Sequence, residues 1–294
     1  MKPSGIQAQQ PIGPDAPNFA DRLLEAIRRK SSVLVVGLDP VLERLPQDVL
    51  QRAGVDPSMP DAVGARAAEA FRLFLGGVIE AVADAAVAVK PNLAFFERWG
   101  APGWEAFEGV SRKAKEMGLL VIADAKRGDI GHTAEAYASA FLGDSPATPG
   151  PLVDAVTVNP YLGSDSMAPF LERSRQTGKG LFVLVRTSNP SAGEIQDLDA
   201  GGIPVYLRVA RLVARWGEGL RGTSGFSLVG AVVGATAPEE AARIRQALPS
   251  VHFLVPGYGA QGAKADQLRA AFLPGGAGAI GSARRRFPPR WLRE

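Results

Sequence analysis

Short apolar runs alternating with amphipathic stretches predict an α/β protein built as a single (β/α)₈ barrel, the TIM-barrel class, and three observations carry that expectation. Eight runs are continuously apolar, as strands buried on both faces must be, and each closes on polar, glycine or proline residues. Helical stretches stand between them, which makes the strands parallel. The 294 residues, 46% of them hydrophobic, can bury one large core, and the eight units span about 260 residues, the usual size of such a barrel. A doubly wound open sheet is the architectural alternative.

Taken in order, residues 1–17 are polar and rich in proline and glycine and read as a flexible leader, so the barrel domain is expected over 18–294. Asn18 can cap a helix through FADRLLEAIRRK, in which Leu23, Leu24 and Ile27 share a face and basic residues close the last turn. The strands follow as VLVVGLDP (33–40), AVAVKPN ending near Asn92, LLVIADAK ending near Lys126, AVTVNP ending near Pro160, GLFVLVRTSNP ending near Pro190, then SLVGAVVGAT, VHFLVPG and GAGAIGSAR. Stretches such as PGWEAFEGVSRKAKEMG, TAEAYASAFLG and APEEAARIRQALP supply helices. The segment 46–63 reads as an insertion in the first strand-to-helix connection.

Composition narrows the chemistry. With no cysteine and only His132 and His252, neither a disulfide framework nor a Cys/His zinc site can be assembled, and a reducing cytoplasm is expected. The amino terminus lacks a signal-peptide apolar stretch and no apolar run approaches the ~20 residues that span a bilayer, so no membrane association is expected. The net charge of +3 owes much to Arg284, Arg285, Arg286, Arg290 and Arg293, a tail that reads as solvated, without the aromatic-plus-basic pattern of a nucleic-acid binder.

Barrel active sites lie at the carboxyl ends of the strands. There this sequence places Asp39, Lys90 with Asn92, Asp124 with Lys126, Asn159, the stretch from Arg186 to Asn189, Thr236 and a glycine-rich turn after Val255. In VIADAKRGDIGHT, strand periodicity puts Asp124 and Lys126 on one face and Ala125 on the other. Asp129 beyond them could reach back, reach a neighbouring subunit or cap the next helix. A structural ion pair with an N-cap is the plainer alternative. The turn PGYGAQG matches G-x-G-x-x-G through Gly257, Gly259 and Gly262, but it follows the seventh strand and lacks an acidic residue about 20 positions on. Backbone amides offered to a phosphate fit it better, completed by Gln261 and an arginine after Ser282. The competing reading is an ordinary tight turn beside a basic tail. His132 reads as a cap or surface residue, His252 as structural, and Gly178-Lys179 lacks the rest of a Walker A motif.

From about Phe19 to the basic tail, the chain resembles the orotidine 5′-phosphate decarboxylase family, and more closely its longer bacterial branch. The resemblance rests on DAKRGDIGHTAEAYA (124–138), which fits D-x-K-x-x-D, and on GLDP, KPNLAFFE, TVNPYLGSDS, VRTSNP and PGYGAQG in order. It implies decarboxylation of orotidine 5′-phosphate to UMP without metal, pyridoxal or thiamine. Lys126 would protonate C6, and Asp124 would lie beside the substrate carboxylate. Asp129 and Ile130 would cross into the partner's site, making a homodimer. Asp39 and Lys90 would hold the ribose and complete an alternating charge network, with Thr133 at the ribose side and Ser188 at the pyrimidine edge. Pro256 would line the pyrimidine pocket, and Gln261 with Arg284 would clamp the phosphate, Arg285 being the competing choice. His132 stands where the family has a small residue. The rival readings are a Mg²⁺-dependent sugar-phosphate enzyme of the same superfamily, a Schiff-base aldolase using Lys126 or Lys90, and a catalytically silent phosphate-binding scaffold.

Overall fold

A computed structural model describes residues 18–55, 63–143, 152–234, 238–258 and 269–283. Eight parallel strands close into a barrel in sequence order: β1 (Leu34–Leu38), β2 (Ala88–Pro91), β3 (Leu120–Arg127), β4 (Ala155–Val158), β5 (Gly180–Arg186), β6 (Val229–Val233), β7 (Phe253–Tyr258) and β8 (Ala279–Ala283), with β8 pairing back onto β1. The open-sheet alternative is excluded by that last pairing. The strands carry the expected residues: β2, β4, β6 and β8 are buried at every position, as a sheet covered on both faces requires.

Helix α1 (Phe19–Lys30) precedes the barrel. Asn18 caps it as expected, its side chain accepting from the Ala20 amide at 2.8 Å, and Ser31 ends it in the left-handed region. The helix lies against the amino-terminal end of β5: Phe19 donates its amide to the Gly178 carbonyl, and its ring occupies the space beside Gly180, where a Cβ would come within 2.2 Å of ring carbon. Glycine at 180 is therefore a packing requirement. Phe182 meets the Phe19 ring edge-on at 5.9 Å.

The first connection holds a 3₁₀ turn (Leu42–Arg44) and α2 (Gln47–Arg52), so the expected insertion has secondary structure of its own. Then come α3 (Val63–Val82), the short α4 (Ala94–Glu97) and α5 (Gly100–Glu116), followed by α6 (Gly131–Leu142), α7 (Ser164–Thr177), α8 (Gly193–Gln196), α9 (Val205–Trp216) and α10 (Pro238–Ala247). Among the described residues no helix is long and apolar enough to cross a membrane.

Charge is also buried at the amino-terminal side. Asp154, just before β4, accepts from Arg22 at 2.6 Å, Lys115 at 3.0 Å and the Val121 amide at 2.9 Å, tying α1 and α5 to the sheet. Burial would raise its carboxyl, but Lys115 and Arg22 outweigh burial and hold it below the usual range.

Candidate active site

The described candidates lie at or beyond the carboxyl ends of β1, β2, β3, β5 and β7. Asp39 follows β1 directly and is half-buried. Gly37 and Leu38 pair with Lys90 and Pro91, so the Asp39 and Lys90 positions stand on adjacent strand ends. Lys90 is buried on β2, and Asp124 is buried on β3. The two meet in an ion pair: the Lys90 ammonium contacts Asp124 Oδ2 and the Lys126 ammonium contacts Oδ1. One carboxylate thus sits between two ammonium groups. Burial alone would push the Asp124 carboxyl up, but the two cations outweigh it and bring it down to about 2.

The way Lys126 reaches Asp124 differs from the simple alternation expected of a strand. Ala123 pairs with Val156 and Arg127 with Val158, so three residues of β3 stand opposite Thr157 alone. This is a bulge. Within it Lys126 has φ of 49°, a left-handed conformation that an L-residue with a long side chain adopts at a cost of about 1–2 kcal/mol. Pleat periodicity therefore puts the right pair of residues together for an incomplete reason. The bulge re-aims the lysine, whose side chain remains 48% exposed while its carboxylate partner is buried.

Residues that the sequence reading did not single out hold this segment. Thr157 is buried, accepts the Lys126 amide at 2.9 Å and lies 3.3 Å from Asp124 Oδ1. Arg127 forms an ion pair with Glu97 of α4 and lies over the rings of Tyr137 (5.4 Å) and Phe141 (5.7 Å) of α6. Thr157 is a polar position inside an otherwise apolar strand, a signal visible in AVTVNP. The Arg127–Glu97 pair spans two connections and has no local signature.

Asp129 accepts from the Ile130 amide at 2.8 Å, and among the described residues it makes no ion pair with Lys90 or Lys126, both of which pair with Asp124. The N-cap of α6 is Ile130, with no side-chain cap bond, so Asp129 is not the helix cap. Ile130 is 55% exposed, and Thr133 is exposed in the first turn of α6. His132 lies fully on the surface beside Glu135 at 3.1 Å.

Ser188 stands in the turn after β5 and is half-buried. Gln196 fixes that turn by accepting from the Thr187 amide at 2.9 Å and from Arg186 at 3.2 Å, while donating to Thr187 Oγ1 at 2.7 Å. Gly234 lets the turn pass: a Cβ there would lie 3.1 Å from the Ser188 backbone and side chain. Pro256 is half-buried in β7, paired with Ser282, just before a register shift. Gln261, Arg284, Arg285 and Thr236 lie outside the described residues. Among the described residues no group of three or more His, Cys, Asp or Glu side chains is arranged to hold a metal ion.

A closed (β/α)₈ barrel carrying an alternating Lys–Asp–Lys group where barrels do their chemistry defines an enzyme of the TIM-barrel class. The chain belongs to the orotidine 5′-phosphate decarboxylase / HUMPS family, whose model matches residues 33–283. It is 46% identical over 263 residues to the orotidine 5′-phosphate decarboxylase of Rhodopirellula baltica, covering 89% of this chain and 85% of that protein. The enzyme of the same name from Deinococcus radiodurans is 43% identical over 271 residues, covering 92% and 88%. Among solved structures, Leishmania donovani OMP decarboxylase superposes with a TM-score of 0.71 at 34% identity, covering 91% of this chain and 89% of that one.

Proposed function

We propose that this chain decarboxylates orotidine 5′-phosphate to UMP, a step of pyrimidine biosynthesis, with Lys126 as the proton donor. Family membership and the relatives' activity support the reaction. The observation that carries the residue assignment is the Lys90–Asp124–Lys126 array, in which the Lys90 side chain is buried and the Lys126 side chain is half-exposed.

The bond from C6 to the carboxylate carbon breaks heterolytically, its electron pair stays on C6, and CO₂ leaves. The Lys126 ammonium transfers a proton to C6, giving UMP, and solvent returns the proton to Nζ. The ring delocalises the C6 charge poorly, so fixed electrostatics must stand in for an electron sink. An ammonium about 3 Å from that charge is worth roughly 5 kcal/mol at an effective dielectric near 20. Enzymes commonly require roughly 8–23 kcal/mol, so the rest is drawn from remote binding. In this reading Asp39 and Lys90 engage the ribose side with Thr133, Ser188 holds the pyrimidine edge and Pro256 lines its pocket. Gln261 with Arg284 clamps the phosphate. Asp124 lies beside the substrate carboxylate.

The acting unit is a cytoplasmic homodimer. Asp129, which has no cationic partner in its own chain among the described residues, and the exposed Ile130 enter the neighbouring site.

The test follows the ultraviolet loss of orotidine 5′-phosphate with EDTA present. The wild type should turn over undiminished, and Lys126→Ala should lose turnover while still binding UMP. Decay that needs added Mg²⁺ would favour the sugar-phosphate reading, and a borohydride-trapped adduct on Lys126 or Lys90 would favour the aldolase reading.

A further inference from the structure

We propose that the Thr157 hydroxyl positions the Lys126 ammonium, by bracing the bulge that turns this lysine out of the strand. The inference rests on Lys126 being the proton donor. Thr157 is the third residue of β4 and 1% exposed. Its single hydroxyl serves both members of the charged pair. Oγ1 accepts the Lys126 backbone amide at 2.9 Å and stands 3.3 Å from Asp124 Oδ1, with the Ala123 carbonyl farther off at 3.5 Å. A hydroxyl donates one hydrogen and accepts through two lone pairs, so it can accept from Lys126 and donate to Asp124 at once. The oxygen it reaches is the one that pairs with the Lys126 ammonium.

The bulge explains why a side chain is needed. Three residues of β3 face one of β4, and the side chain of that one residue, rather than its carbonyl, receives the Lys126 amide. At φ of 49° Lys126 holds a conformation it would otherwise leave. Without the hydroxyl the amide loses its partner and Asp124 Oδ1 loses a neighbour. The strand end then relaxes toward ordinary pleating and Nζ moves relative to bound substrate. Small misplacements of a reacting group have large effects on rate and small ones on binding. Threonine suits the position because its hydroxyl makes these bonds while its branched Cβ fills a strand site.

The experiment compares Thr157→Val, which keeps shape and removes the hydroxyl, with Thr157→Ser, which keeps the hydroxyl. Thr157→Val is expected to lower kcat on orotidine 5′-phosphate about 10–100-fold, with KM and UMP affinity within about 3-fold of wild type, and Thr157→Ser to stay within about 3-fold in kcat. Full kcat in Thr157→Val, or equal loss in the valine and serine variants, would overturn the proposal. If Thr157→Val does not fold, Thr157→Ala against Thr157→Ser isolates the same hydroxyl and is judged by the same criterion. Lys126→Ala separates the two levels: if it retains turnover, the proton-donor reading fails. An inactive Lys126→Ala beside a fully active Thr157→Val removes the positioning role alone.

Discussion

At Lys126 a positive φ, a bulge and an ion pair to a buried carboxylate coincide, and each is expensive unless its neighbours stabilise it. The motif D-x-K made the lysine legible as a candidate, because two charges at one strand end are rarely idle. The left-handed backbone was not legible, because the sequence holds no glycine or asparagine there to announce it. Buried titratable residues away from the site behave differently. His252, just before β7, is 1% exposed and stacks on Phe226 at 4.1 Å. Burial pushes its imidazole down to about 4, from an ordinary 6.5. Because the folded value is the lower one, the unfolded chain binds the proton first, so stability falls as pH drops below about 6.5 and keeps falling towards 4. At pH 5 that loss amounts to about 2 kcal/mol. His252→Phe is expected to remove most of this dependence: its urea midpoint should change less between pH 7 and pH 5 than the wild type's. An equal change in both proteins would assign the acid sensitivity to other groups.

Between elements, the last two units of the barrel are joined by one side chain. Arg245 of α10 is buried and donates to the carbonyls of Leu248, Val251, Ala271 and Gly278 at 2.6–3.0 Å, with its guanidinium 3.5 Å from the Phe253 ring centre. Burial lowers its pKa to about 10. A planar fork of donors suits several carbonyls at once, which an ammonium cannot match. Arg245→Met is expected to cost about 3 kcal/mol or more, since buried carbonyls lose their donor, and Arg245→Lys should recover only part of it in urea unfolding. Full recovery by lysine would mean that charge alone matters. Nothing in APEEAARIRQALP marks this arginine as interior, because its partners are backbone carbonyls, and those of Ala271 and Gly278 lie 26 and 33 residues further along the chain. The helix itself was legible from its periodicity.

At the scale of the whole molecule, the two ends of the barrel divide the work. The amino-terminal end is closed by α1 and braced by Asp154. The carboxyl end carries the Lys90–Asp124–Lys126 group and, beside it, exposed apolar residues: Ile130, Tyr161 at 80% and Leu162 at 48%. Exposed apolar surface next to a proposed shared site fits a partner interface. Sedimentation should give twice the 30.9 kDa chain mass, and Ile130→Glu should yield monomers with turnover reduced at least about tenfold. A fully active monomer would remove the shared site. Strand and helix order and the charged strand ends were determined by the sequence, because apolar periodicity and the residues that interrupt it are local properties, whereas closure of the barrel against the open-sheet alternative was decided by the pairing of β8 with β1. The register shift at Thr157, the left-handed Lys126, the Glu97–Arg127 link and the carbonyl clamp of Arg245 were decided only in three dimensions. Each depends on atoms that chain closure, and not sequence proximity, brings within hydrogen-bond reach.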